Sequence, residues 1–321
     1  MIFLFTFVVM KIDVKVYAAP LQGFTEAAWR NAHCQVFGGV EAYYTPFVRL
    51  ERGEVRNKDR REVSATQNQV TALVPQLIAS EPDEMEQLVR FLLAEGYKEM
   101  DVNMGCPFPL LTKRCKGSGI LPHPDKVGDI LSVMAHFPEV SFSVKMRLGW
   151  QDADEWKVLL PLLNESCIKQ ITLHPRIGKQ QYKGKVDMES FAAFYDQCTV
   201  PLVYNGDLCS MNSISSVFQQ FPRLKGVMLG RGLLADPSLA EAIKTGKVLE
   251  RKQLYSKVLE MHELMFEQYA RNIEGGDAQL LQKLKTMWEY LLPDLDKKAR
   301  KAITKSTKLE VYQRVVEVAL R

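Results

Sequence analysis

Short apolar runs, several alternating with polar residues, recur along the chain at steps of mostly about 25 to 35 residues, the repeat that a β/α unit requires. The runs 14–21, 42–48, 73–79, 99–105, 142–148, 170–176, 201–207 and 226–233 read as strands. Helix-period patterns fill the intervals at 25–37, 82–95, 124–136, 152–164, 187–196, 211–220 and 237–244. Ser80 ahead of Glu81-Pro82 and Asp236 ahead of Pro237 read as helix caps. Such units, eight in about 240 residues, predict an α/β chain folded as a (β/α)8 TIM barrel. A doubly wound open sheet is the alternative, but no Gly-x-Gly-x-x-Gly follows the first strand.

Past Gly246 the strand signals stop. Leu254, Val258, Met261, Met265 and Tyr269 fall on one helical face, the run Glu274-Gly275-Gly276-Asp277 breaks the pattern, and 280–291 reads as a second helix closed by Pro293. One or two more helices are expected over 297–321. The expectation is a catalytic barrel over 1–246 and a small all-helical C-terminal domain over 247–321.

Composition changes this picture little. A chain of 321 residues that is 46% hydrophobic is long enough for one large core and a smaller unit, and a net charge of +4 does not by itself argue for nucleic acid. The six cysteines form no Cys-x-x-Cys pair, so neither a zinc ribbon nor a redox pair is indicated, and a reduced, cytoplasmic chain is expected. Met1–Met10 is apolar enough to resemble the core of a signal peptide. No basic residue precedes it, the charges of Lys11, Asp13 and Lys15 end the apolar run, and it falls far below the roughly 20 residues of a membrane span. Neither secretion nor a membrane partner is expected, and Met10 is an alternative start.

Candidate chemistry collects at the predicted C-terminal strand ends, where barrels carry their active sites. The fourth strand ends at Asn103-Met104-Gly105-Cys106-Pro107. Cys106 is either a packing residue or, placed there, a thiol for chemistry. On the fifth strand Lys145 and Arg147 share a face, and on the sixth His174 and Arg176 do so. Buried cations must be paired or serve an anion, with Asp101 or Asp207 as structural partners in the first case. Gln76, on the third strand, has the paired donor and acceptor to read a heterocycle or to tie down a loop. Asn205-Gly206-Asp207 and Gly230-Arg231-Gly232 end the last two strands. Either motif alone could simply make a turn; side by side they favour phosphate binding. The set holds no carboxylate pair of the glycosidase kind and no clustered metal ligands. It suits a phosphorylated cofactor whose ring gains negative charge beside a lysine, and flavin mononucleotide (FMN) fits.

With these residues in place the chain resembles the tRNA-dihydrouridine synthases. The resemblance rests on Ala19-Pro20-Leu21-Gln22-Gly23-Phe24-Thr25, Asn103–Pro107, Val144-Lys145-Met146-Arg147-Leu148-Gly149, His174-x-Arg176, Asn205–Asp207 and Gly230–Gly232, in the family's order. In the tail, Lys283-Leu284-Lys285 with Trp288 and Tyr290 resembles the family's RNA-binding helical domain. The resemblance implies reduction of uridines in tRNA to 5,6-dihydrouridine, with FMN as hydride carrier and NADPH (or NADH) as reductant. It implies that Pro20, Leu21, Gln22, Gln76, Lys145, His174, Asn205, Gly206, Asp207, Gly230 and Arg231 hold the FMN. Asn103, Arg147 and Arg176 would hold the uracil, and Cys106 would be the general acid, with Cys115 a secondary candidate. Gln22, Pro175, Ile120 and the run Phe108–Cys115 depart from the family pattern. Lys297, Lys298, Arg300, Lys301, Lys305 and Lys308 are expected to meet the phosphate backbone. No obligate protein partner is expected. An FMN barrel that reduces a small pyrimidine or enone, and a non-catalytic RNA-binding relative, are the competing readings.

Overall fold

A computed structural model describes residues 14–321; Met1–Met10 lies outside them. The strands are β1 (Lys15–Ala18), β2 (Ala42–Tyr44), a short antiparallel hairpin of β3 (Leu50–Glu51) and β4 (Glu54–Val55), β5 (Leu73–Val74), β6 (Gln76–Leu77), β7 (Glu99–Met104), β8 (Ser141–Gly149), β9 (Gln170–Ile177), β10 (Leu202–Tyr204) and β11 (Gly226–Leu229). The main sheet runs β5-β2-β1-β11-β10-β9-β8-β7-β6, and every pairing in it is parallel. Its two ends, β5 and β6, flank Pro75, which has no N–H to give a ladder. They are one barrel strand interrupted at the proline, and a Val48–Leu77 bridge helps close the ring. The predicted barrel is therefore the fold, and the open-sheet alternative is excluded.

The connecting helices are α1 (Ala27–Val36), α2 (Asn57–Val63), α3 (Pro82–Ala94), α4 (Pro109–Thr112), α5 (Pro124–Ala135), α6 (Trp156–Glu165), α7 (Met188–Gln197), α8 (Met211–Gln220), α9 (Arg231–Ala235) and α10 (Leu239–Thr245). Their apolar faces bury Leu88, Leu92, Ile130, Leu160 and Phe194 against the outward residues of the strands. The last predicted strand, 226–233, is corrected: it stops at Leu229, and Leu233 and Leu234 are buried from a helix instead. A short apolar run carries no period long enough to tell the two apart. The predicted caps also shift by one or two residues. Glu81 is the N-cap of α3, and Asp236 Oδ1 accepts the Ser238 N–H at 2.9 Å one turn before α10.

The helices after Gly246 are α11 (Arg251–Asn272), α12 (Gly276–Thr286), α13 (Lys297–Lys305) and α14 (Leu309–Leu320). Val258, Met261, Met265 and Tyr269 are buried as the period predicts, and α11 packs along α1. The buried Tyr312 hydroxyl accepts the Trp288 Nε1–H at 2.9 Å and lies 2.8 Å from His262 Nε2. Lys283 joins the tail to the barrel through Glu26, 2.6 Å away, while Lys58 reaches the same carboxylate at 2.8 Å. Burial pushes the Glu26 carboxyl up, but Lys283 and Lys58 outweigh it and hold the group below the usual range.

Candidate active site

Period-two alternation sorts β8 and β9 cleanly. Phe142, Val144, Met146, Leu148, Ile171 and Leu173 pack into the core with the helices. Ser143, Lys145, Arg147, Thr172, His174 and Arg176 occupy the opposite face, toward the barrel interior. Lys145, Arg147 and His174 line a cavity at the C-terminal mouth. The β1 loop adds Pro20, Leu21 and Gln22, the β7 end adds Asn103 and Cys106, and the last two strand ends add Asn205, Gly206, Asp207, Gly230 and Arg231. Thr25 shapes the first of these loops, its Oγ1 accepting the Leu21 N–H at 2.8 Å and donating to Ala19 O at 3.2 Å.

Cys106 is held from two sides. Asn103 Oδ1 accepts the backbone N–H of Gly105 at 3.1 Å and of Cys106 at 2.9 Å. The N–H and Oγ–H of Ser118 both donate to Cys106 O at 3.0 Å. Gly117, at φ +61°, lies so close that a Cβ there would come within 2.5 Å of Cys106 O. Burial pushes the thiol up; the Phe108 backbone, Arg147, Lys145 and Arg49 pull the other way without overcoming it. The group is therefore a protonated thiol at neutral pH. Cys115 lines a separate surface hollow with Glu84 and Arg114, away from this cavity.

Two of the expected site residues stand behind the cavity lining. Gln76 does not line the cavity: it is fully buried, donating to Asp101 Oδ2 at 2.7 Å and accepting from Asn103 Nδ2 at 2.7 Å. One N–H and one lone pair of its amide are engaged with Asp101 and Asn103, so Gln76 meets the cavity through Asn103. Arg176 is also set back from the cavity, donating to Asp207 Oδ1 at 3.0 Å and Oδ2 at 2.5 Å, and to Gly184 O. Its two terminal nitrogens orient Asp207, His174 and the 178–186 loop, while Nε has no partner among the described residues. Arg147 Nε donates to Gly105 O at 2.9 Å and Nη1 to Ile177 O and Gln181 O, which ties the β7 end to that loop.

The charges are distributed unevenly. Asp207, at φ +46°, pairs with Arg176 and with Arg231 at 2.8 Å. Burial raises its pKa, but Arg176 and then Arg231 outweigh that and hold it low. The Lys145 ammonium, by contrast, makes no ion pair or hydrogen bond among the described residues. Its pKa falls to about 8, first through burial and then through Arg147, against the opposing pull of Asp101 and Cys106. The structural partner open to it on sequence, Asp101, instead accepts Ser143 Oγ–H at 2.6 Å and Gln76. Burial, and then Arg147, Lys145, Arg176 and Arg231, keep His174 well below the usual imidazole pKa. With Arg176 Nη1 donating to its Nε2 at 3.0 Å, the proton of the neutral ring is assigned to Nδ1.

The donor set fits a phosphate-bearing cofactor. A Cβ on Gly206 would meet Val186 at 2.9 Å, and one on Gly232 would meet Leu208 O at 1.9 Å, so the close packing of both strand ends requires glycine. The N–H groups of Gly206, Gly230 and Arg231 find no acceptor among the described residues. An unpaired ammonium, free N–H groups and Arg231 together make an anion cradle. No group of three or more metal-ligating side chains occurs among the described residues.

Sequence reasoning missed Tyr182, which lines the cavity with its ring 5.5 Å from the Arg147 guanidinium, 4.8 Å from that of Arg231 and 6.3 Å from the His174 ring. It lies in a loop without period, so no pattern could mark it. Phe47 and Met228 also line the cavity, and only the strand register could have placed them.

These features define a parallel (β/α)8 barrel whose mouth gathers cations, unpaired N–H donors and a thiol at its rim. The family model described as Dihydrouridine synthase (Dus) matches residues 17–320, and the chain belongs to that family. It is 26% identical over 254 residues to tRNA-dihydrouridine synthase B of Shewanella oneidensis, covering 79% of this chain and 78% of that protein. It is 29% identical over 245 residues to a probable tRNA-dihydrouridine synthase 1 of Synechocystis sp., covering 74% and 68%. Among solved structures, morphinone reductase in complex with tetrahydroNAD superposes with a TM-score of 0.52 at 12% identity, over 74% of this chain and 88% of that one, which is a likeness of fold.

Proposed function

We propose that this chain is a tRNA-dihydrouridine synthase that reduces the C5–C6 double bond of uridines in tRNA. Family membership supports the reaction. The observation that carries it for this chain is the convergence of Cys106, Lys145, Arg147 and the anion cradle on one cavity. FMN bound there, reduced by NADPH, would supply a hydride to C6 of the uracil. The remaining chemistry belongs to the protein. Gly206, Gly230 and Arg231 hold the phosphate, the 20–22 loop and Asn205 flank the ring, and His174 offers Nδ1–H. Lys145 brings a positive charge to the region that becomes electron-rich. Arg147, with one guanidinium nitrogen uncommitted, holds a uracil carbonyl and stabilises the negative charge that hydride addition leaves there. Cys106 delivers its proton to C5, and burial suits it to the role by keeping it protonated.

A base within a tRNA stack must leave it to reach such a cavity. The helices over 247–321 serve as the tRNA-binding domain of this proposal, with the exposed lysines Lys297, Lys298, Lys301, Lys305 and Lys308 along the phosphate backbone. Arg300 is removed from that set: it donates to the carbonyls of Trp288 at 2.6 Å and of Leu291 at 2.9 Å, and also to that of Leu292, holding the turn before α13. Lys283 and Trp288, which carry the family resemblance, are likewise engaged within the protein. No helix among the described residues is long and apolar enough to cross a membrane, and the proposed site of action is the cytoplasm, where tRNA is.

The test is mass-spectrometric mapping of dihydrouridine in tRNA after incubation with the purified protein, FMN and NADPH. Dihydrouridine at defined positions, and a yellow protein that releases FMN, are expected. Undetectable dihydrouridine in tRNA with rapid reduction of a free enone would select the small-molecule reading instead.

A further inference from the structure

We propose that the turn after the thiol is an RNA-contacting wedge, in which Phe108 and Leu110 occupy the stack beside the extruded uridine while Lys113 and Arg114 meet flanking phosphates. The inference rests on the tRNA reading above and assigns that substrate a contact outside the cavity. The short helix α4 has two unlike faces. Leu111 and Thr112 are buried, Leu111 in a cluster with Phe47 and Ile78 against which Cys106 packs. On the other face Phe108 is 51% and Leu110 66% exposed, two large apolar side chains within four residues of the thiol.

The turn is built to keep them exposed rather than to let them fold away. Thr112 N–H donates to Phe108 O at 3.0 Å, Lys113 N–H to Pro109 O at 3.1 Å, and Lys116 N–H to Leu111 O at 3.0 Å. Beneath it, a Cβ on Gly119 would sit 2.5 Å from Thr112 O, so the turn rests directly on the loop that holds Cys106. An apolar pair on a backbone this constrained is held toward solvent by the fold itself, whereas Val158, exposed on α6, stands alone.

The charge identifies the occupant. Lys113 and Arg114 are exposed and make no ion pair among the described residues, no acid lies in the run from Cys106 to Ser118, and of the acids Glu81, Asp83 and Glu84 that line a hollow with Arg114, Glu81 and Glu84 are paired with Lys126 and Lys116. Apolar side chains flanked by unpaired cations match a stack of bases flanked by phosphates. The step also has a physical need for such a group. Extruding a base leaves a gap in the stack, and an apolar side chain inserted there restores part of the stacking.

The experiment compares the full-length holoenzyme with Phe108→Ser, Phe108→Trp and Leu110→Ser, following dihydrouridine formation on intact tRNA and NADPH-driven flavin reduction separately. Both side chains are exposed, so thermal stability and flavin reduction should be those of the parent. Phe108→Ser and Leu110→Ser should each lower kcat/KM for tRNA by about tenfold, the scale of removing one base–side-chain stack, and Phe108→Trp should retain it. Unchanged tRNA turnover in both serine variants, or a Phe108→Trp variant as impaired as Phe108→Ser, overturns the wedge while leaving the parent reading intact. A parent enzyme that makes no dihydrouridine removes both.

Discussion

Asn103 Oδ1 accepts the backbone N–H of Cys106 at 2.9 Å. With the Gly105 N–H on the same oxygen and Ser118 on Cys106 O, this hydrogen bond holds the turn that carries the thiol at the rim. It is itself fixed from below, since Asn103 Nδ2 donates to Gln76, Gln76 donates to Asp101, and Asp101 accepts from Ser143. Replacing Asn103 by Ala should cost about 1–2 kcal/mol of positioning, of order tenfold in dihydrouridine formation. FMN content should stay near that of the parent, because none of these bonds reaches the anion cradle. Flavin absorbance and tRNA turnover, measured on one preparation, check both halves.

Gly117 bears on the same cysteine from the opposite side. Its φ of +61° and the 2.5 Å approach of a notional Cβ to Cys106 O mean that Gly117→Ala must move backbone rather than a flexible side chain. The variant should melt several degrees lower, at a cost of at least about 1–2 kcal/mol, and should lose turnover out of proportion to its loss of fold. Circular dichroism melting beside the tRNA assay separates the two effects.

The buried Asp101 gives a pH signature. Burial raises its pKa from the ordinary 3.8 to about 6, with Gln76, Ser143 and Lys145 opposing. The folded protein therefore holds an extra proton between those values. The stability this group contributes is fullest below the unfolded pKa and is lost as pH rises through about 6. Asp101→Asn abolishes that titration, so the unfolding free energy of the parent minus that of the variant should be larger at pH 4.5 than at pH 7. Urea unfolding at the two pH values reads this; a signed difference that rises toward pH 7 would contradict the assignment.

On α13 the lysines and the arginine should separate in behaviour. Lys297→Glu with Lys301→Glu should weaken tRNA binding and flatten its salt dependence by about one unit of slope for each phosphate no longer neutralised, without lowering the melting temperature. Arg300→Ala should do the reverse, destabilising the tail, because it strands the carbonyls of Trp288, Leu291 and Leu292. Binding isotherms at two salt concentrations and a melting curve distinguish the two roles.

The barrel was legible because its period is local: Val144, Met146 and Leu148 alternate with Lys145 and Arg147, and one strand's pleat decides which side each occupies. The mouth was legible for the same reason, wherever a candidate stood at a strand end. The partners of Gln76 and Arg176 were not legible because, though both positions are inward, those partners are not local. Gln76 bonds residues 25 and 27 positions away, and Arg176 bonds Asp207. A sequence shows that a polar group is buried but not which neighbour satisfies it. Tyr182 went unseen because its loop is fixed by Arg147 and Arg176 reaching across to its carbonyls, an arrangement that leaves no trace in hydropathy. Arg300 was misassigned for a related reason, since a cation that caps carbonyls and one that meets phosphate look alike in a basic run.

The most direct test of the central claim is the turnover of Cys106→Ala beside Cys115→Ala on intact tRNA, with flavin reduction by NADPH followed in parallel. Loss of a general acid lowers rate by about 10²–10⁴. Cys106→Ala should therefore bind and reduce FMN as the parent does yet form almost no dihydrouridine, while Cys115→Ala, whose thiol lies in the separate hollow, should retain most of its activity. Parent-like dihydrouridine formation by Cys106→Ala, or its loss in Cys115→Ala alone, would contradict the account.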